Sequence, residues 1–382
     1  MQRRSFLIGS GMVAISQALA ACGNQEQNSL KIQLLKGSIP IQLIEEFPKS
    51  LNPKISLDIH VVEQLQAIFN NLQKSPQDQA NNLWEWRPWS KPKALIQPDL
   101  LSFGDSWLQD AIAQNLIQPL PIKNSPGWQK LPRRWQSLVL RNAKGNPQED
   151  GQVWGAPYRW GTTMIAYRKD KFQKLGWIPQ DWGDLWRQEI RGQISLLNQP
   201  REIIGLTLKK LGHSYNTQNL AKIPTLKSEL QALNQQAKLY SSDRYLQPLI
   251  LEDTWAAVGW STDILPLMKR NPNIGAVIPA SGTALWADLW VQSQGRELSA
   301  EAKSWIDFCW EPLQANKISL LSNATSPMVT GMKPEDLLPD LRSNPLLLPP
   351  SGVIDRSEFL EPFPLSVMAQ YSALWQEIRQ KV

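Results

Sequence analysis

Short strand-like runs alternate with helical patterns along most of this chain, and the alternation restricts the fold more than any other feature. The strand-like runs are Lys31–Leu35, Ile55–Val62, Leu100–Phe103, Gln193–Leu197, Ile274–Ile278 and Leu285–Val291. The helical patterns lie at Ile41–Phe47, Leu65–Leu72, Trp107–Gln114, Pro200–Leu211 and Leu365–Val382. Strands separated by helices of this length predict an α/β fold with parallel sheets and covering helices. In open sheets of that kind, ligands bind beyond the carboxyl ends of the strands.

The first residues predict an export signal followed by a tether. An arginine pair, Arg3-Arg4, precedes a short apolar stretch that ends in Leu-Ala-Ala-Cys at Cys22. This arrangement describes a signal peptide, its last four residues resemble a bacterial lipobox, and the arginine pair resembles a twin-arginine export signal. We therefore expect residues 1–21 to be removed, Cys22 to carry a membrane-anchoring lipid, and residues 22–29 to form a polar tether. The alternative is an ordinary secretory signal with a chance cysteine.

Composition restricts the classes of function. The 382 residues include 42% hydrophobic residues, so the chain can bury a large core. Removal of Arg3 and Arg4 leaves 38 basic and 34 acidic residues, a formal charge of +4. No basic stripe with interleaved aromatic residues occurs, so we expect no nucleic-acid partner. With Cys22 carrying lipid, Cys309 has no cysteine left to pair with and is predicted to be a buried packing residue.

Five segments in fixed order carry a family resemblance. They are Gly155–Tyr167 (GAPYRWGTTMIAY), Asp181–Trp186 (DWGDLW) followed by Arg191-Gly192-Gln193, Pro200-Arg201-Glu202, Gly259-Trp260-Ser261 and Leu285-Trp286-Ala287-Asp288. Together they resemble the spermidine/putrescine-binding family of periplasmic solute-binding proteins. The resemblance implies a type II periplasmic-binding-protein fold, in which two α/β lobes are joined by crossing strands and the ligand lies in the cleft between them.

The resemblance also implies lobe boundaries and a hinge. The N-terminal lobe is expected to comprise residues 30–157 and about 281–330. The C-terminal lobe is expected to comprise residues 158–280 and about 331–382. The hinge is expected near Tyr158–Trp160 and Ala280–Gly282.

The chemistry of a polyamine defines the candidate site. Carboxylates hold the ammonium groups, and aromatic faces lie along the methylenes, where cation–π attraction also acts. By resemblance, Glu202, Trp286, Asp288 and Trp260 fall on the family's ligand positions. Trp286 and Asp288 are two residues apart in a strand, so they face the same way. Each has a structural alternative: the macrodipole favours a glutamate in a helix's first turn, and either tryptophan could pack in a core.

Several positions depart from the family pattern. No aromatic residue occurs at Leu35–Ser38, Asn198 and Gln199 replace an expected aspartate, and Ser326 replaces an expected tyrosine. The segment Phe103-Gly104-Asp105 replaces a serine–tyrosine region. Phe103 and Asp105 are therefore included as candidate ligand residues, with capping of the next helix as the alternative for Asp105. Arg159 lies near the expected hinge and would oppose a cation if it faced the cleft.

The predicted function is that of a monomeric, periplasmic lipoprotein that delivers a polyamine-like cation to an ABC permease and its ATPase. No cofactor and no metal are expected. The two histidines, His60 and His213, accompany no HExxH, GxSxG or P-loop pattern, so the chain is not expected to be an enzyme. The alternatives are a different small amine or a zwitterion as ligand, and a ligand-free scaffold or assembly lipoprotein.

Overall fold

A computed structural model gives the structure of residues 29–74 and 98–380. The predicted signal peptide, Cys22 and the tether up to residue 28 lie outside these residues. The strands are β1 (Ser29–Leu35), β2 (Ser56–Val62), β3 (Leu100–Gly104), β4 (Ile117–Gln118), β5 (Leu140–Arg141), β6 (Gln152–Val153), β7 (Ala156–Arg168), β8 (Ile194–Leu196), β9 (Ala237–Tyr240), β10 (Ala256–Trp260), β11 (Ile274–Val277), β12 (Ala284–Ser293) and β13 (Glu358–Phe359).

Helices cover these strands and connect them. They are α1 (Ile41–Ser50), α2 (Leu65–Leu72), α3 (Leu108–Ala113), α4 (Pro126–Lys130), α5 (Arg133–Val139), α6 (Lys169–Leu175), α7 (Pro200–Lys210), α8 (Leu226–Gln236), α9 (Gln247–Ile250), α10 (Ser261–Arg270), α11 (Ala300–Cys309), α12 (Pro312–Leu321), α13 (Pro339–Arg342), α14 (Ser351–Arg356) and α15 (Leu365–Gln380). Short 3₁₀ helices occur at Asp105–Trp107, Trp182–Trp186, Gln188–Ile190, Leu220–Lys222, Pro327–Gly331 and Pro334–Asp336. The predicted strands and helices are confirmed, and the majority of their ends differ from the prediction by no more than two residues.

One sheet of mixed direction organises the molecule. Its main order is β2-β1-β3-β12-β7-β10-β8-β9. The strand β1 runs parallel to β2 and β3 at one end, and β8 runs parallel to β9 and β10 at the other. Between these parallel parts, β12 pairs antiparallel with β3 and β7, and β7 pairs antiparallel with β10. Helical connections explain the parallel parts, since parallel neighbours need a crossover.

The strand β7 is long enough to serve both parts of the sheet. All 13 of its residues are buried, and at ~3.3 Å per residue it spans roughly 40 Å. Its first half pairs with β12 as far as Thr162, and its second half, from Thr163, runs between β10 and β11. A strand that is buried along its whole length belongs to the interior of the molecule, so β7 is a central crossing strand.

Two separate hydrophobic cores lie along this sheet. The first core includes β1, β3, α11 and the beginning of β7 as far as Trp160. The second core begins on β7 at Met164 and includes α7, α8 and β10. The division between the cores therefore falls on β7 between Trp160 and Met164, a few residues beyond the expected hinge at Tyr158–Trp160. Cys309 is fully buried in the first core, as predicted.

The C-terminal part of the chain contributes to both cores. Leu337, Leu341 and Leu347 pack in the first core, whereas Phe363 and Tyr371 pack in the second. The expected assignment of all residues from 331 to the C-terminal lobe does not agree with this packing. We propose instead that the chain passes from one lobe to the other between Leu347 and Phe363.

A glycine in α7 tests how tightly the second core is packed. A Cβ atom at Gly205 would lie 2.0 Å from Cδ1 of the buried Tyr215 ring. We expect Gly205→Ala to lower the free energy of unfolding by about 1–3 kcal/mol, because overpacking outweighs the better helix propensity of alanine. Urea unfolding measures this change. Gly183→Ala is the matched control, since its Cβ would meet nothing within 4 Å, and an equal loss in both variants would contradict the packing explanation.

Candidate functional site

One face of β7 carries three residues that each meet a predicted site residue. The three are Arg159, Gly161 and Thr163, which are two residues apart along the strand and therefore lie on the same face. Arg159 contacts Asp288, Gly161 lies beneath Trp286, and Thr163 contacts Glu202, as detailed below. The candidate site is therefore a row along the crossing strand, and it extends across the division between the two cores.

Glu202 is a buried carboxylate held by neutral hydrogen-bond donors. It is 6% exposed, and Thr163 Oγ1 lies 3.1 Å from both of its carboxylate oxygens. The indole Nε1 of Trp260 donates to Oε1 at 3.3 Å. Burial raises the pKa of Glu202 to about 7, against the opposing effect of these donors and of the nearby Arg201 charge. Glu202 is thus poised to gain or lose a proton near neutral pH.

The local sequence explains how Glu202 reaches this position. Pro200 occupies the first turn of α7, where its missing N–H is not needed. Glu202 lies in the same turn, near the positive end of the helix dipole, which favours a carboxylate. The next helical residues, Ile203 and Ile204, are buried in the second core and fix the helix against the sheet.

Two partly buried tryptophans form the aromatic part of the site. The Trp260 ring meets the ring of Tyr245 edge-on, with centroids 6.0 Å apart and planes at 87°. Trp286 lies directly over Gly161: a Cβ atom there would be 2.2 Å from its Cζ2 and 2.2 Å from Ser261 Oγ. A residue with a side chain at position 161 would push the indole away, so this glycine is required by the position of Trp286.

Asp288 forms an ion pair with Arg159. The two residues are paired in register on β12 and β7, and Arg159 Nε lies 2.5 Å from Asp288 Oδ2. Their side chains are only 4% and 5% exposed. Burial raises the pKa of Asp288, while the guanidinium acts in the opposite direction by charge and hydrogen bonding. Because arginine stays protonated in proteins, contact this close favours an ionised Asp288.

Asp105 lies beside this pair and bonds across the sheet. Its Oδ1 accepts a hydrogen bond from the backbone N–H of Ala287 at 3.0 Å, so its side chain is directed to β12 and does not cap the helix that follows. Burial raises the pKa of Asp105 to about 7; the Ala287 N–H opposes this rise and the Asp288 charge adds to it. The half-buried carboxyl lines a cavity of about 220 Å³ with Arg134, Arg141 and other residues.

Phe103 does not join these residues. It is fully buried in the first core, where its ring meets the rings of Phe69 at 5.9 Å and Trp107 at 6.1 Å. The neighbouring Ser102 points to the other face of β3 and bonds the hydroxyl of Tyr158 at 2.5 Å. We therefore correct the expectation that Phe103 contacts ligand, because its side chain has no surface to offer.

The structure thus brings Glu202 and Trp260 into contact and places Trp286 and Asp288 along the same strand face. Sequence reasoning did not identify Thr163 or Gly161 as part of this group. The signal was present in the alternation of small and polar residues within the apolar crossing strand.

In residues 29–74 and 98–380, no cluster of three or more His, Cys, Asp or Glu side chains could hold a metal ion. The same ranges contain no helix long and apolar enough to cross a membrane.

Known proteins resemble the chain in sequence and in fold. A putrescine/cadaverine-binding protein of Pseudomonas aeruginosa is 26% identical over 245 residues, which are 60% of this chain and 68% of the relative. The spermidine/putrescine-binding periplasmic protein of Escherichia coli is 23% identical over 236 residues, 62% of this chain and 65% of the relative. The matches therefore span about two thirds of the length of these relatives.

A solved structure gives the likeness in three dimensions. The spermidine/putrescine ABC transporter substrate-binding protein of Streptococcus pneumoniae, in complex with calcium and HEPES, superposes with a TM-score of 0.76 at 20% identity. The alignment covers 92% of this chain and 98% of that one. This likeness confirms the expected two-lobed α/β fold.

The family follows from the sequence match. The profile of the bacterial extracellular solute-binding proteins matches residues 96–350, which is more than half of the chain. The chain belongs to this family, and the resemblance to its spermidine/putrescine-binding members is confirmed. The role of this family is solute binding rather than catalysis, in agreement with the expectation that the chain is not an enzyme.

The buried carboxyl of Glu202 predicts a pH-dependent stability. Its pKa rises from an ordinary 4.5 to about 7 on folding, so the folded state binds more protons between these values and stability falls as pH rises through that window. We expect Glu202→Gln, compared with wild type, to gain up to about 3 kcal/mol in unfolding free energy between pH 5 and pH 8. Urea unfolding at both pH values measures it, and the same wild-type-to-variant difference at pH 5 and pH 8 would contradict the raised pKa.

Proposed function

We propose that this protein captures an organic amine of the polyamine class in the cleft between its lobes and delivers it to an ABC permease. The observation that carries the proposal is the buried carboxylate of Glu202, which has the partly exposed Trp260 beside it. Among the ion pairs of the described residues, none involves Glu202. A buried carboxylate without a cationic partner is costly unless it is neutralised, and a ligand ammonium neutralises it.

The surroundings of Glu202 suit an alkylammonium group. Trp260 already directs its indole N–H at the carboxylate, so its ring lies where it can cover the methylenes next to a bound ammonium. Thr163 keeps both oxygens of the carboxylate in place. A charge-assisted hydrogen bond together with an aromatic face is the combination that recognises alkylammonium ions. The relatives named for putrescine and spermidine support the same class of ligand.

The position of the site relative to the two cores supports a hinge mechanism. Glu202 and Trp260 belong to elements of the second core, whereas Asp288 lies on β12 where it pairs with strands of the first. An amine that is held at Glu202 and packs towards the β12 side of the row, without displacing Arg159 from Asp288, favours the arrangement in which the lobes are closed on it. Hinge closure of this kind gives the loaded protein a shape that a permease can distinguish from the empty one.

We further propose that the protein works as a monomer, exported to the periplasm and anchored by lipid at Cys22. The arginine pair, the apolar stretch and the cysteine at the end of it support this location. Twin-arginine export of a folded protein fits a chain whose large cores need no disulfide. A lipid anchor keeps the receptor next to its permease, so that each captured molecule is released close to the transporter.

The role of Glu202 predicts how binding responds to substitution and to pH. We expect putrescine to bind at pH 8 and Glu202→Gln to weaken it by roughly 10- to 150-fold, the worth of a charge-assisted hydrogen bond of about 1.5–3 kcal/mol. Because Glu202 must lose its proton to hold an ammonium, the wild-type affinity should fall as pH drops below about 7, the pKa of the ligand-free carboxyl. Titration calorimetry between pH 5.5 and 8 measures both effects.

The control for this experiment is Glu335→Gln, which removes an exposed carboxylate away from the cleft and should leave the affinity unchanged. A panel of spermidine, spermine, basic amino acids, betaines and anions in thermal unfolding identifies a different ligand if putrescine fails. Ligand at about 100 times its dissociation constant stabilises by about 2.7 kcal/mol, which is readily seen. No stabilisation by any compound would favour the ligand-free scaffold.

The anchor predicts where the mature protein is found. We expect the wild type in the membrane fraction of cells and Cys22→Ser in the soluble fraction, because the sulfur that carries the lipid is absent. Cell fractionation with mass spectrometry of the mature N-terminus measures this. Cys309→Ser is the control for loss of a cysteine as such. A wild-type protein that is soluble and unacylated would favour the ordinary secretory signal.

A further inference from the structure

Asp288 lies where the family resemblance expects a ligand carboxylate, yet it already has a cation. Arg159 faces it from the neighbouring strand, with Nε 2.5 Å from Oδ2. Both side chains are almost completely buried, so no solvent separates or screens the pair. The register of β7 and β12 fixes the two residues opposite each other, and the contact therefore does not depend on a flexible loop.

The same guanidinium also lies over the indole ring of Trp286, the aromatic side chain beside Asp288. Its Cζ lies 5.9 Å from the centroid of the Trp286 ring, within the range of a cation–π contact. A ligand ammonium at this end of the site would need both groups, the carboxylate for its charge and the indole for its methylenes. One side chain of the protein occupies both.

We propose that Arg159 is a specificity-determining residue that takes the place of a second ligand ammonium at Asp288. The receptor then binds amines through one ammonium at Glu202 and gains no affinity from a second one. This inference rests on the proposed function, and it specifies how the amine is held: through one ammonium, so that an amine whose other end is uncharged binds about as well as a diamine.

Arginine is well suited to exclude a competing ammonium. The guanidinium stays protonated, is more weakly hydrated than an ammonium and matches a carboxylate with planar donors. A ligand ammonium that displaced it would leave a buried guanidinium without an anionic partner, which is strongly unfavourable. Asp105 is the other carboxyl nearby, but its Oδ1 is already bonded to the Ala287 N–H, and the positive charge of Arg141 acts on it as well.

A purely structural role is the alternative reading of the pair. The contact ties β7 to β12, so its loss lowers stability in any case. That role, however, predicts no change in the relative affinity for two amines that share the same carbon chain. The ratio of affinities for a diamine and a monoamine therefore separates specificity from strand pairing.

The experiment compares n-butylamine with putrescine, which has the same chain and one more ammonium, by calorimetry at pH 8. We expect wild type to bind the two within about threefold, since two equivalent ends already give putrescine a factor of two, and Arg159→Met to favour putrescine by at least about tenfold. Arg159→Met with Asp288→Asn is the matched control, and it should return the ratio to the wild-type value because no free carboxylate remains.

The wild-type ratio decides the question even if Arg159→Met does not fold. A wild type that favours putrescine by about tenfold or more would overturn the inference, and loss of that preference in Asp105→Asn would locate the second ammonium at Asp105. An unchanged ratio in a folded Arg159→Met protein would overturn it as well. In either of these cases, Glu202-dependent binding of both amines leaves the proposed function standing. If neither amine binds wild type or any variant, the proposed function fails and this inference with it.

Discussion

The antiparallel pairing of β7 with β12 brings the two cores of this protein into one sheet, and the site follows from its register. Side chains alternate along a strand, so a slip of one residue would turn Arg159 and Thr163 into the cores and bring buried apolar rings to the site face. All residues of β7 are buried, so such a slip would move polar side chains into both hydrophobic cores, and the packing of the cores therefore excludes it. The positions of the candidate site's side chains are thus specified by the same contacts that stabilise the fold.

The two buried carboxylates of the site meet the problem of burial in different ways. Asp288 has a full positive charge beside it, whereas Glu202 has a hydroxyl and an indole N–H, which are neutral. Neutral donors compensate only part of the lost hydration, which is why the pKa of Glu202 rises to about 7. Asp288 is therefore neutralised by a residue of the protein, whereas Glu202 has no cation of the described residues in contact with it.

Much of this arrangement could be predicted from sequence because its signals are local. The alternating patterns gave the strand and helix positions, and the two-residue spacing of Trp286 and Asp288 put them on one face. Phe103 could not be judged in this way, because β3 is buried on both faces and its sequence does not tell which face meets the site. The ion pair of Arg159 depends on the register between strands more than 120 residues apart in sequence, and the sequence indicated only that this arginine lay near the hinge.

The pairing of Asp288 with a residue of the same chain has a consequence for how the receptor meets its surroundings. Arg159 is held opposite Asp288 by the sheet, so its effective concentration there is fixed and high, whatever the medium contains. Under the proposed function, a dissolved amine reaches Glu202 only at the concentration that the medium supplies. Asp288 is therefore neutralised whatever that concentration is, whereas the proposed occupancy of Glu202 by amine follows it.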